Sequence, residues 1–151
     1  MRHIIFRAWD KTRDEMFCYE NMSGIKELHF AQDMSVDSIK LFEYLPNGSF
    51  AFKDLSINDV ELMQFTGLKD KNGIKIFEGD ILISAASCKV IVVYRECFFA
   101  TIFRDSFSGK YKENNFALLN QNCINNLKYE VAGNKFENPE LLGEMNDTQT
   151  S

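Results

Sequence analysis

The sequence predicts a mainly β protein, a small barrel or sandwich, and three observations carry that prediction. Short β-branched and aromatic runs recur at spacings of about 8–12 residues. Turn formers punctuate them, most plainly at Pro46-Asn47-Gly48-Ser49 and Asn72-Gly73. Only one segment, Asn138-Pro139-Glu140, opens with a helix-start signature of N-cap residue and proline at the first helical position.

Taken in order, Ile4 to Trp9 reads as a strand stopped by the polar run Asp10 to Asp14. Glu15 to Tyr19 alternates again, so the first twenty residues form a predicted β-hairpin. Lys26 to Phe30 and Ser38 to Leu45 are short strands around a polar loop, Gln32 to Asp37, and Phe50 to Phe52 resumes the extended pattern. The whole stretch 21–58 reads as short strands mixed with irregular segments. Val60 to Thr66 is a strand, and Asn72-Gly73 is the strongest short-range hairpin signal available to a sequence. Ile74, Ile76 and Phe77 return the chain, and Glu78-Gly79-Asp80 punctuates before Ile81 to Ile83.

Lys89 to Tyr94 and Cys97 to Phe103 are nearly continuous apolar runs separated by Arg95-Glu96. Runs of that kind mark strands covered on both faces, in a barrel or at an oligomer interface. Ser106 to Asn115 reads as a polar loop, and Phe116 to Leu119 and Leu127 to Val131 as short strands. One helical turn closes the fold through Leu142, and residues 144–151 form a polar, disordered tail.

Composition narrows the function. The 151 residues are enough for one core without staples. A formal charge of −5 disfavours phosphate-backbone binding, which depends on Lys and Arg. The exception is a basic cluster at Arg2, His3, Arg7, Lys11 and Arg13, whose alternation with apolar neighbours fits a solvated face better. No run approaches the roughly 20 apolar residues of a membrane span, and no secretory signal opens the chain. A cytoplasmic protein is expected, with the sequons at Asn21, Asn47 and Asn146 inert. The four cysteines, Cys18, Cys88, Cys97 and Cys123, include no C-x-x-C pair, and His3 and His29 lie at no zinc spacing from them. They are expected to be reduced, buried or half-buried thiols.

Several short motifs fail on inspection. Ser108-Gly109-Lys110 lacks the upstream glycine of a phosphate loop, and Tyr111 stands where a Ser or Thr would hold magnesium. Asp70-Lys71-Asn72-Gly73 opens like a calcium loop, but glycine comes too early and Ile74 occupies the next ligand position. Asp70, Glu78 and Asp80 are the only carboxylates worth weighing for acid–base work, and turn chemistry accounts for them equally well. Phe98, Phe99, Phe103 and Phe107 read as core; alternation places Phe99 and Phe103 on one face and Phe98 on the other, so at most half form an aromatic ledge.

Three stretches together resemble the YopX family of phage and prophage proteins. Ile4 to Asp10 with Met16-Phe17 is similar to the family's N-terminal hairpin. Gln64 to Gly73 running into Ile76-Phe77-Glu78-Gly79-Asp80-Ile81 is similar to its signature, and Glu130-Val131, Gly133-Asn134 and Glu137 to Leu142 to its C-terminal close. The resemblance implies a small SH3-like β-barrel in the second half (64–143), joined to an N-terminal β region (1–63) with a β-hairpin extension, all in one YopX-like domain over 1–143. It implies no activity, and no cofactor or metal is expected from the motifs above. Within the signature, glycines permit turn conformations and Thr66, Asp70 and Asn72 bond local backbone.

The expectation is therefore a non-enzymatic, phage-encoded module of the host cytoplasm that binds a protein partner or itself, without membrane contact. Gln64, Thr66, Lys69, Asp70, Asn72, Glu78 and Asp80 are its candidate binding residues. A nucleic-acid accessory role through the Arg2–Arg13 cluster is the runner-up, and an enzyme using Asp70, Glu78 or Asp80 comes third.

Overall fold

The computed structural model of the protein describes residues 5–17, 23–30, 36–105 and 108–143. The expected tail, Cys18, Phe107 and the Arg2-His3 part of the basic cluster lie outside them. The chain is mainly β, as predicted. Its strands are β1 (Phe6–Asp10), β2 (Glu15–Phe17), β3 (Ser23–Phe30), β4 (Val36–Tyr44), β5 (Phe50–Ser56), β6 (Val60–Lys69), β7 (Lys75–Phe77), β8 (Asp80–Ile83), β9 (Lys89–Arg95), β10 (Phe98–Arg104), β11 (Tyr111–Leu118) and β12 (Glu130–Asn134). Among the described residues one α-helix, α1 (Gln121–Leu127), precedes β12, and 3-10 turns cover Ile57–Asp59 and Pro139–Leu142. The chain divides into two compact units, Met1–Gln64 and Phe65–Ser151, with the boundary inside β6.

In the first unit, β1 and β2 make the antiparallel N-terminal hairpin, with Trp9 opposite Met16. The first half of β6 pairs with the other edge of β1, from Phe6 opposite Gln64 to Asp10 opposite Val60. β3, β4 and β5 form an antiparallel meander, so the stretch read as partly irregular is more regular than its composition indicates. Ala8, Phe17, Ile39, Leu55 and Val60 build the core of this unit. The buried Asp10 carboxylate accepts from Thr12 N at 2.9 Å and Thr12 Oγ1 at 2.6 Å, and its other oxygen meets Lys53 Nζ at 3.3 Å. Burial pushes its pKa up, but the Thr12 hydrogen bonds and Lys53 outweigh that and hold it below the ordinary aspartate value.

The second unit is a curled, five-stranded antiparallel half-barrel in the order β11-β10-β9-β8-β12. Alternation along the strands gives the sheet two apolar faces. One carries Leu82, Val90 and Val92, closed by Ile76 of β7 and by Leu119, Ile124 and Tyr129, with Phe99 and Phe103 packed against them. The other buries Ile81 and Ile91 under Leu142 of the 3-10 turn. Each such side chain contributes about 1.5–3 kcal/mol by leaving water.

Several expectations change here. β11 begins at Tyr111, inside the predicted polar loop, because strand pairing to β10 (Arg104 opposite Tyr111) does not require apolar side chains on an open edge. The sequence 121–127 is helical although Asn-rich. Asn120 caps it by accepting from Cys123 N at 2.9 Å, Ile124 anchors it in the core, and Lys128 ends it in the left-handed region. Consequently β12 starts at Glu130 rather than at Leu127. Asn138 makes no side-chain cap; its Oδ1 accepts from Asn134 N at 3.3 Å instead. Cys88 and Cys97 are exposed, since both fall in the connections flanking β9, and among the described cysteines only Cys123 is half-buried.

Candidate functional site

Two regions of the second unit compete for the role of site, and they are built in opposite ways. The first is the signature, from the second half of β6 to β8. Phe65 lies opposite Phe77, and Thr66 is buried between the strands. Its Oγ1 donates to Ile76 O at 2.8 Å and accepts from Leu68 N at 3.1 Å, so a hydroxyl on an apolar hairpin has both partners.

Asp70 is the hub. One carboxylate oxygen accepts from Asn72 N at 2.8 Å and Ile74 N at 2.9 Å; the other accepts from Val131 N at 3.0 Å on β12. Gly73 N donates to Asp70 O at 3.0 Å, and Gly73 alone of the loop residues takes positive φ, at 84°. The predicted Asn-Gly hairpin therefore exists, but as a turn with glycine in the following left-handed position. A type I′ turn would need Asn72 at positive φ too. Asn72 N is tied to Asp70, and Asn72 does not take positive φ. Lys71 N donates to Tyr129 O at 3.0 Å, and Lys71 Nζ pairs with Glu130 at 2.6 Å. The Lys71 contact, helped by the Asn72 side chain, holds the Glu130 carboxyl below the usual range.

Asp80 repeats the pattern one turn later. Its carboxylate accepts from Phe77 N at 2.7 Å, across a turn in which Gly79 takes φ 79°. It stands opposite Asn134, whose Oδ1 accepts from Phe136 N and Glu137 N at 3.0 and 2.9 Å. The Asp70 carboxylate thus grips β12 near its start, and Asp80 pairs with β12 near its end through the strand register. Of the remaining candidates, Gln64 is half-buried on β6 opposite Phe6, and Glu78 is half-buried in the turn. Lys69 and Asn72 are exposed, and the Lys69 carbonyl accepts from Gln121 at 3.1 Å. Thr66, Asp70 and Asp80 thus form a turn scaffold, with the carboxylates of Asp70 and Asp80 turned inward onto backbone. Among the described residues no group of three or more His, Cys, Asp or Glu is placed to hold a metal ion.

The second region is the far side of β9, β10 and β11. The registers put Val93 and Arg95, Phe98 and Ala100, and Phe116 and Leu118 on one face. Toward β8 this face is covered by Leu141 and Leu142. Toward β11 it is open, with Phe116 44% and Leu118 54% exposed. The Phe98 and Phe116 rings lie 6.2 Å apart, and the Arg95 guanidinium sits 5.0 Å over the Phe116 ring while donating to Glu113 O at 2.6 Å. A cation–π contact of this kind fixes the ring without hiding it. Alternation correctly separated Phe98 from Phe99 and Phe103. It did not reveal Phe116 and Leu118 as surface residues, because no local signal distinguishes a covered strand from an edge.

Comparison with known proteins places the chain. A family model described as YopX protein matches residues 5–143. The crystal structure of protein EF1440 from Enterococcus faecalis is similar at 27% identity and a TM-score of 0.63, over 94% of this chain and 99% of that one. Protein yopX from Bacillus subtilis shares the fold, with 18% identity, a TM-score of 0.57 and coverage of 93% and 98%. None of the curated proteins matches.

Proposed function

The chain belongs to the YopX family, and from that premise we propose that it is a non-enzymatic binding or self-assembling module of a phage or prophage, acting in the host cytoplasm. We read residues 1–143 as one domain whose second part is an SH3-like barrel, with β1 and β2 as a hairpin extension of the first.

One observation carries the reading: the open apolar face formed by Phe98, Phe116 and Leu118, with Arg95 holding the central ring. Contiguous exposed apolar surface of this kind marks interaction sites, and rigid aromatics beside an arginine are the residues that anchor interfaces. The signature carboxylates support the same reading from the other side, since Asp70 and Asp80 are engaged by backbone donors rather than presented to a substrate. The nucleic-acid alternative has less behind it. Lys11 pairs with Glu61 at 2.9 Å and Arg13 with Glu15 at 3.4 Å, which neutralises two of its cations. Among the described residues no helix is long and apolar enough to cross a membrane.

The test is capture from host lysate with the tagged chain and with Phe116→Ser/Leu118→Ser. The reading expects at least one protein, a host protein or the untagged chain itself, to be retained by the first and lost from the second. Identical capture by both chains would overturn it.

A further inference from the structure

We infer that β11 pairs antiparallel with β11 of a second copy of this chain, carrying the five-stranded sheet across a two-fold axis. The inference rests on the binding reading above and names its partner.

β11 is the terminal strand of its sheet on that side. Leu119 N donates to Phe99 O at 3.0 Å, and the Ala100–Leu118 register continues to place Leu119 opposite Phe99. Hydrogen-bonded and non-hydrogen-bonded pairs alternate along an antiparallel ladder. Leu119 and Ala117 therefore bond toward β10, and the backbone N–H and C=O of Phe116 and Leu118 point away from it. The same two residues carry the exposed apolar side chains. An edge strand with outward-facing backbone groups and apolar side chains is a template for another strand, and proteins blunt such edges with proline or several charges. Here the strand has no proline, and its two charges, Lys112 and Glu113, cancel.

That cancellation favours this chain as the occupant. The whole protein carries −5, yet the edge is neutral and does not repel its own copy. A two-fold axis perpendicular to the sheet keeps each face on its own side, so a residue at the axis meets itself. The register shift between Ile102 and Arg104 confines the regular edge to its C-terminal half, which centres the axis near Phe116. Phe116 then stacks on Phe116 of the other copy with reciprocal backbone bonds. The Phe98 rings flank the seam, and two open patches close into one band.

Light scattering of the full chain across a concentration series, combined with amide hydrogen exchange, tests this. A monomer–dimer equilibrium is expected, with exchange at the Phe116 and Leu118 amides slowing as concentration rises. Phe116→Lys and Leu118→Pro should each weaken association about tenfold or more with unchanged circular dichroism. Proline at 118 removes only an outward donor, and the lysine variant serves should the proline one fail to fold. A strictly monomeric chain up to about 1 mM overturns the inference, as does a dimer unaffected by Phe116→Lys or amide exchange independent of concentration. A monomer that still captures a host protein through Phe116 overturns this inference alone; a chain that does neither overturns the binding reading as well.

Discussion

In the signature turns two aspartates face inward: Asp70 is 6% and Asp80 1% exposed. On β11 two apolar residues face outward, Phe116 44% and Leu118 54% exposed. Residue type would assign the two regions the other way round, chemistry to the carboxylates and core to the phenylalanines. The difference lies in what each backbone needs. The tight turns of the signature leave N–H groups without ladder partners, and a short carboxylate is the side chain that reaches them. A strand edge asks nothing of its side chains, so Phe116 and Leu118 are free to serve a surface.

If that contrast holds, substitutions should divide sharply between the two regions. Asp70→Ala strands three backbone donors and should lower unfolding free energy by about 3 kcal/mol or more in urea denaturation, with Asp70→Asn falling between. A loss no larger than that of a surface substitution would erase the contrast. Next comes Tyr129, whose backbone carbonyl anchors the signature turn through Lys71. Burial, with smaller contributions from Cys123 and Cys88, pushes its phenol up to about 12. The folded pKa is raised, so the contribution is intact below about pH 10 and is lost as pH rises toward 12, by about 2–3 kcal/mol. Ultraviolet titration should show Tyr129 ionising late, and Tyr129→Phe should flatten the alkaline decline in stability; a Tyr129 that ionises at the ordinary tyrosine value would break the account of the core.

Gly73→Ala meets no atom within 4 Å, so only the left-handed backbone at φ 84° opposes it. A cost of about 1 kcal/mol is expected; a much larger one would mean that the turn depends on more than its dihedral. Smallest is Phe116→Ser, expected within about 0.5 kcal/mol of the parent in stability, despite removing a whole aromatic ring. A loss of several kcal/mol would return Phe116 to the core and remove the basis of the proposed interface.

Much of the fold was legible because strands announce themselves by alternation and turns by glycine, asparagine and aspartate. The β1–β2 hairpin, β6 to β10 and the 3-10 turn after Pro139 all follow from such local signals. The helix α1 did not, since Gln121 to Leu127 has weak helix formers and depends on Ile124 reaching a core assembled from distant strands. The exposed thiols of Cys88 and Cys97 were misjudged for a related reason: neighbours in sequence were apolar, but the turns put both outside.

By itself, then, the sequence determined a mainly β protein of the YopX family whose signature residues are turn builders. Periodicity and backbone hydrogen bonding are properties of a few consecutive residues, and a chain carries them wherever it lies. Only the tertiary structure decided that Asp70 reaches across to Val131, and that β11 ends the sheet with Phe116 and Leu118 uncovered. Burial and edge position depend on which strands meet, and Asp70 and Val131 lie 61 residues apart along the chain.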